Sequence, residues 1–151
     1  MSVLILFSLL GASPPAFDIA NRTVAATFHA EGVQIYECKP GTNGLAWTFR
    51  EPVAALFEDG KTVGRHFAGP RWELDDGSLI KGKIAQTAPG ATPADVSWLK
   101  LDVAQNANTG RLASVTAVYR INTRGGALQG PCSMPGQLQS APYTADYVFV
   151  R

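Results

Sequence analysis

Apolar and polar positions alternate with a period of two over many short stretches of this chain, and no long stretch carries a convincing helical pattern. Period-two alternation puts successive side chains on opposite faces of a strand, so it predicts half-buried β-structure. Residues 33–38 alternate in this way. After the turn-forming run Lys39-Pro40-Gly41-Thr42-Asn43-Gly44, residues 45–50 read as a return strand with Leu45, Trp47 and Phe49 on one face. Residues 54–58 and 61–67 flank Asp59-Gly60, a pair suited to a two-residue hairpin turn with positive φ at both central positions. The event repeats when residues 71–74 and 78–86 flank Asp75-Asp76-Gly77.

Residues 87–96 read as a loop, with one short helical turn from Pro93. Residues 97–104 form a further strand in which Leu99, Leu101 and Val103 share the clean apolar face. Trp98 is thereby assigned to the outer face or to one end of the core. Residues 114–122 set Val115, Ala117, Tyr119 and Ile121 against Thr116, Val118, Arg120 and Asn122. A long irregular connection follows over 123–138. Residues 143–150 close the chain with Tyr143, Ala145, Tyr147 and Phe149 inward. The fold class is therefore all-β: a single antiparallel sandwich or barrel of about eight or nine strands with consecutive hairpins. Strand order alone does not separate the two architectures.

Composition adds the compartment. The 151 residues carry a formal net charge of +1, with 46% apolar and 17% charged residues. That is too apolar for a disordered chain. Basic residues are not clustered, so the counterion-displacing surface needed by a nucleic-acid binder is missing. Residues 3–10 are apolar except for Ser8, and small residues and two prolines follow. This is the shape of a secretory signal peptide. It lacks the basic residue that usually precedes the apolar run, and it is well short of the ~18–20 residues that span a bilayer. The expected organisation is a signal peptide over 1–16 and a β-rich domain over 17–151, secreted or periplasmic, with no integral span after processing. Of the two cysteines, Cys38 and Cys132, neither has the close partner of a metal or redox site. In an oxidising compartment they are expected to form one structural disulfide.

Candidate chemistry is sparse. The two histidines, His29 and His66, have no metal-ligand spacing, and no metal or cofactor is expected. His66 with Glu73 makes a possible acid–base pair, against the plainer reading that His66 hydrogen-bonds a neighbouring loop and sets the turn. Trp47, Trp72 and Trp98, with four tyrosines, either fill the core or line a groove on which a sugar ring stacks. Trp72 and Trp98 are the expected exposed pair, with Arg120, Asn122 and Arg124 as polar contacts at the rim. The expected site is the hairpin 65–76 with Trp72 at its centre.

One further pattern runs along the chain. The stretch Gly64-Arg65-His66-Phe67-Ala68-Gly69-Pro70-Arg71-Trp72-Glu73 resembles the family named domain of unknown function 3455. It is supported by Gly32-Val33-Gln34-Ile35-Tyr36-Glu37-Cys38, Asp76-Gly77-Ser78, the run from Arg120 to Gly126, and Tyr143-Thr144-Ala145-Asp146-Tyr147. The resemblance implies export, since the family includes exported bacterial and fungal members, and it implies no particular activity. The leading expectation is a non-catalytic domain that binds a small molecule, glycan or envelope component. The alternatives are a hydrolase using His66 and Glu73, and a structural or interaction protein of the cell envelope.

Overall fold

The computed structural model describes residues 17–151. The expected signal peptide lies outside these residues. Eight antiparallel strands close into one barrel in chain order: β1 (Val24–Gly41), β2 (Gly44–Glu58), β3 (Lys61–Phe67), β4 (Arg71–Leu74), β5 (Leu79–Ala88), β6 (Trp98–Asn106), β7 (Ala117–Gly125) and β8 (Leu138–Val150). A 3₁₀ turn at Ile19–Asn21 precedes them. The expected all-β fold with consecutive hairpins is present, and closure of β1 against β8 makes it a barrel. The Asp59-Gly60 turn has φ of 50° and 76°, the positive pair that such a hairpin needs.

Two strands are longer than the alternation suggested. β1 begins at Val24 rather than near Val33. The two segments expected at 45–50 and 54–58 form one strand, β2, in which Pro52 pairs with Gln34 and Arg50 bulges out opposite the Ile35–Tyr36 step of β1. The bulge breaks the strict alternation, and Pro52 suggests a strand end where there is none.

Both faces of the wall are apolar on one side of the barrel. Inside, Phe28, Leu56, Trp72, Ile80, Leu101, Val118, Tyr147 and Phe149 belong to the main core. Outside, Ala117, Tyr119, Val148 and Val150 form a second cluster covered by Phe17, with Ile19 and Trp98 packed against it. The Tyr119 hydroxyl donates to the Asp18 carboxylate beneath this cover. On β7 both faces of the alternating pattern are covered. The face carrying Val118 and Arg120 turns inward, and the face carrying Ala117 and Tyr119 lies under the N-terminal segment.

The two ends of the barrel differ. At one end the β6–β7 connection tucks Leu112 and Val115 into the core. It is held by the Asn106 Nδ2 amide, which donates to the Leu112 and Ala113 carbonyls at 3.0 and 3.2 Å. Arg111 donates through both terminal nitrogens to the two Glu58 carboxylate oxygens, each at 2.8 Å. At the other end the β5–β6 and β7–β8 connections fold over the opening.

The β7–β8 connection is strapped down by the Cys38–Cys132 disulfide, whose Cα atoms are 5.9 Å apart. Main-chain bonds run beside it: Cys38 N to Gln137 O, Gly136 N to Cys38 O, Cys132 N to Leu45 O and Trp47 N to Gly130 O. The bridge joins residues 94 apart in sequence. Closing a loop of that length restricts the unfolded chain by about 4–5 kcal/mol in the chain-entropy model. Cys132→Ser, or reduction of the native protein, is therefore expected to lower the thermal midpoint by many degrees in a melt followed by circular dichroism. An unchanged midpoint would mean that the strap contributes nothing to global stability.

Candidate functional site

The strapped end holds a half-open cavity of about 560 Å³. An eight-strand barrel is just wide enough for its side chains to fill it or for one small ligand to take their place, and here the two solutions share one interior. The boundary between them is aromatic. His66 on β3 lies opposite Trp72 on β4, and the two rings stack with centroids 4.6 Å apart. Tyr147 packs against both, at 4.9 and 5.5 Å. Trp72 meets Phe149 of the packed half edge-on at 6.0 Å. His66, Trp72 and Tyr147 all line the cavity.

Strand register brings the remaining wall together. Residues directly opposite each other in an antiparallel pair share a face. Arg120 lies opposite Tyr147 on one side and Leu99 on the other, so it faces the same interior as both. Gln34 and Tyr36 reach the cavity from β1, and Leu101 from β6, while Phe49 and Ile84, both about half exposed, stand at its rim.

The loops above are stitched to the strand ends. The Tyr36 hydroxyl donates to the Gly126 carbonyl at 2.6 Å. Thr123 Oγ1 donates to the Val96 carbonyl at 2.6 Å, Gly125 N to Asp95 Oδ1 at 2.7 Å, and Arg120 Nε to the Ser97 carbonyl at 2.9 Å. Gly126 has φ of +84°, and a Cβ there would fall 2.8 Å from Tyr143 Cβ and 3.1 Å from Gln34 Cγ. Only glycine lets the strap settle so closely against these side chains.

The polar groups inside have well-defined states. His66 Nδ1 sits 2.9 Å from the Arg71 carbonyl. A carbonyl only accepts, so Nδ1 carries the proton and donates, leaving Nε2 unprotonated. The ring is 3% exposed. Burial, resisted by the Arg71 bond and reinforced by the positive charge of Arg120, lowers its pKa to about 3. His66 is thus a neutral imidazole. Burial likewise pushes the Tyr147 and Tyr143 hydroxyls up, and the two phenols lie 3.1 Å apart.

Two buried donors in the same region, Gln34 Nε2 and Trp72 Nε1, have no hydrogen-bond partner among the described residues, and each residue is 1% exposed. A buried unpaired donor costs about 1–3 kcal/mol, so each needs an explanation.

Of the candidate residues His66, Trp72, Glu73, Trp98, Arg120 and Asn122, the structure brings His66, Trp72 and Arg120 into one cavity, with Tyr36 and Tyr147 of the aromatic set, and leaves Glu73, Trp98 and Asn122 outside. Trp72 is not the exposed stacking platform expected of it but an interior ring. Glu73 turns to the outer surface, where Arg65 Nε donates to it at 3.0 Å. His66 and Glu73 therefore stand on opposite faces of the wall, and the proposed acid–base pair has no shared pocket. His66 instead hydrogen-bonds the Arg71 carbonyl of the neighbouring strand β4. Trp98 packs on the outer cluster. Asn122, with φ of 51°, donates to Asp146 on the outside. Among the described residues no group of three or more His, Cys, Asp or Glu side chains is arranged to hold a metal ion.

A buried polar cavity residue that the sequence reading missed is Gln34. It shares strand parity with Tyr36 and Cys38, and that was the available signal.

The neutral state of His66 has a measurable consequence. The unfolded chain takes up a proton near pH 6.5, whereas the folded protein resists it down to about 3. Stability contributed this way is complete above pH 6.5 and falls as the pH drops toward 3, at a limiting slope of about 1.4 kcal/mol per pH unit. Between pH 7 and 5 the loss from this group is about 2 kcal/mol. The lowered carboxylates Asp18, Glu58, Asp76 and Asp95 lose their contribution only at lower pH. Urea unfolding at pH 7 and 5 is expected to show this loss in the wild type and its near-absence in His66→Gln. An equal loss in both proteins would assign it elsewhere.

Comparison with known proteins gives one match. No curated protein and no solved structure matches the chain. The family described as protein of unknown function (DUF3455) matches residues 19–63 and 57–151, which between them take in every strand of the barrel and every residue lining the cavity. The chain belongs to that family.

Proposed function

We propose that this barrel is a binding module for a small, largely apolar molecule, held in the half-filled interior beneath the strap, and that it carries out no reaction on it. The observation that carries this reading is the cavity of about 560 Å³, which lies within the range of small-molecule sites. Its wall is built from Trp72, Leu99, Leu101 and Tyr147, with a few convergent polar groups. Phe49 and Ile84 make the rim apolar too, which suits entry of an apolar body.

The chemistry argues against catalysis. A general base works best with a pKa near the operating pH, and His66 sits far below it with its Nδ1 proton committed to a carbonyl. No carboxylate among the described residues pairs with the imidazole. The aromatic at the centre of the site is enclosed, so an enclosed small molecule fits better than a glycan stacked on an open surface.

The disulfide supports placement in an oxidising compartment, in keeping with the export expected from residues 1–16. No helix among the described residues is long and apolar enough to cross a membrane.

The test uses an uncharged environment-sensitive dye, N-phenyl-1-naphthylamine. Saturable fluorescence enhancement with one site per chain is expected. Leu99→Trp, which fills the cavity, is expected to weaken it by about tenfold or more, while overpacking lowers stability by about 1–3 kcal/mol. Absence of dye binding to the wild-type protein would remove the cavity as a functional site. Undiminished binding by a folded Leu99→Trp variant would move the site elsewhere.

A further inference from the structure

The polar inventory of the cavity points to a class of ligand. Three charged residues line it: Arg50, Asp95 and Arg120. Arg50 is engaged at the rim with Glu37 and Glu51, at 3.4 and 3.6 Å. Asp95 is fully used. Its Oδ1 accepts from Gly125 N at 2.7 Å, and its Oδ2 accepts from Thr92 N and Oγ1 at 3.0 and 2.9 Å. Arg120 differs. Its Nε is held by the Ser97 carbonyl, and no carboxylate oxygen among the described residues lies within the 4.0 Å of an ion pair. The groups facing it do not offset its charge, because His66 is neutral and the Tyr36, Tyr143 and Tyr147 hydroxyls keep their protons.

A cation held partly out of water without a counter-charge is unfavourable unless something supplies one. The independent observation is the pair of orphaned donors. Gln34 Nε2 and Trp72 Nε1 are buried, line the same cavity and have no acceptor. What Arg120 and these two donors lack is therefore a negative charge and acceptor atoms.

We infer that the cavity binds a small organic acid whose carboxylate is held by Arg120, whose acceptor atoms take up the free N–H groups of Gln34 and Trp72, and whose apolar body lies against Leu99 and Leu101. This deepens the binding reading and rests on it. A guanidinium is well matched to a carboxylate, since it presents paired donors in a planar fork. An amine ligand would meet the repulsion of Arg120. A plain hydrocarbon would leave the two donors unpaired.

The experiment compares two nearly isosteric probes, 2-naphthoate and 2-naphthamide, by titration calorimetry on the disulfide-intact protein. The acid is expected to bind about tenfold or more tightly than the amide, as a charge-assisted pair requires. Arg120→Met is expected to abolish that preference while retaining amide binding. Arg120→Lys, which keeps the charge but not the fork, is expected to retain part of it. Should Arg120→Met fail to fold, the comparison of acid and amide on the wild type and on Arg120→Lys decides. Equal affinities for the two probes in the wild type overturn the inference, as does an acid preference that survives Arg120→Met. If the neutral dye binds and neither naphthalene does, only the organic-acid inference falls. If the dye fails as well, the cavity reading falls with it.

Discussion

Closing the sheet through β1 and β8 obliges every second side chain on each strand to point into one shared interior. All else in this protein follows from how that interior is filled. Large residues pack one half solid. In the other half the strands present His66, Trp72, Gln34, Arg120 and Tyr147; the rings of His66, Trp72 and Tyr147 pack on one another without filling the space. It is closure that turns an inward arginine into a group facing a cavity rather than one facing solvent.

The strap gives that cavity its roof. Residues 126–137 have no regular pairing of their own, apart from isolated bridges at Gly126 and Pro131. Their position depends on the disulfide, the four main-chain bonds beside it and the Tyr36 hydroxyl. The bridge thus acts on stability and on the site together. It restricts the unfolded chain, and it holds Ala127, Leu128 and Gln129 against the opening.

Much of the fold was legible in the sequence because turns and alternation act locally. Asp59-Gly60 made the hairpin its chemistry requires. β8 turned Tyr143, Ala145, Tyr147 and Phe149 inward as its alternation indicated. The site was less legible, for three identifiable reasons. β7 is apolar on both faces, because Phe17 and Ile19 cover its outside. The alternation there had two answers, and the less obvious one carried Arg120 inward. Trp72 was misplaced although Arg71-Trp72-Glu73-Leu74 is itself an alternating run that groups Trp72 with Leu74. The structure follows that run and buries Trp72 with Leu74 in the core. The proximity of His66 and Glu73 in sequence said nothing about faces. Register pairs His66 with Trp72 and Arg65 with Glu73, a non-local fact.

The seam between β1 and β8 also has a history within each molecule. It joins the first strand to the last, pairing His29 with Asp146 across nearly the whole chain, and such distant contacts are slow to form. During synthesis β1 leaves the ribosome first and has β2 on one side only. Its other ladder of N–H and C=O groups stays open until the final residues appear, and an open ladder invites strand addition from another chain. An eighteen-residue strand offers a long template for that error, so the nascent protein is most vulnerable to aggregation just before its carboxy-terminal strand arrives to complete the ring.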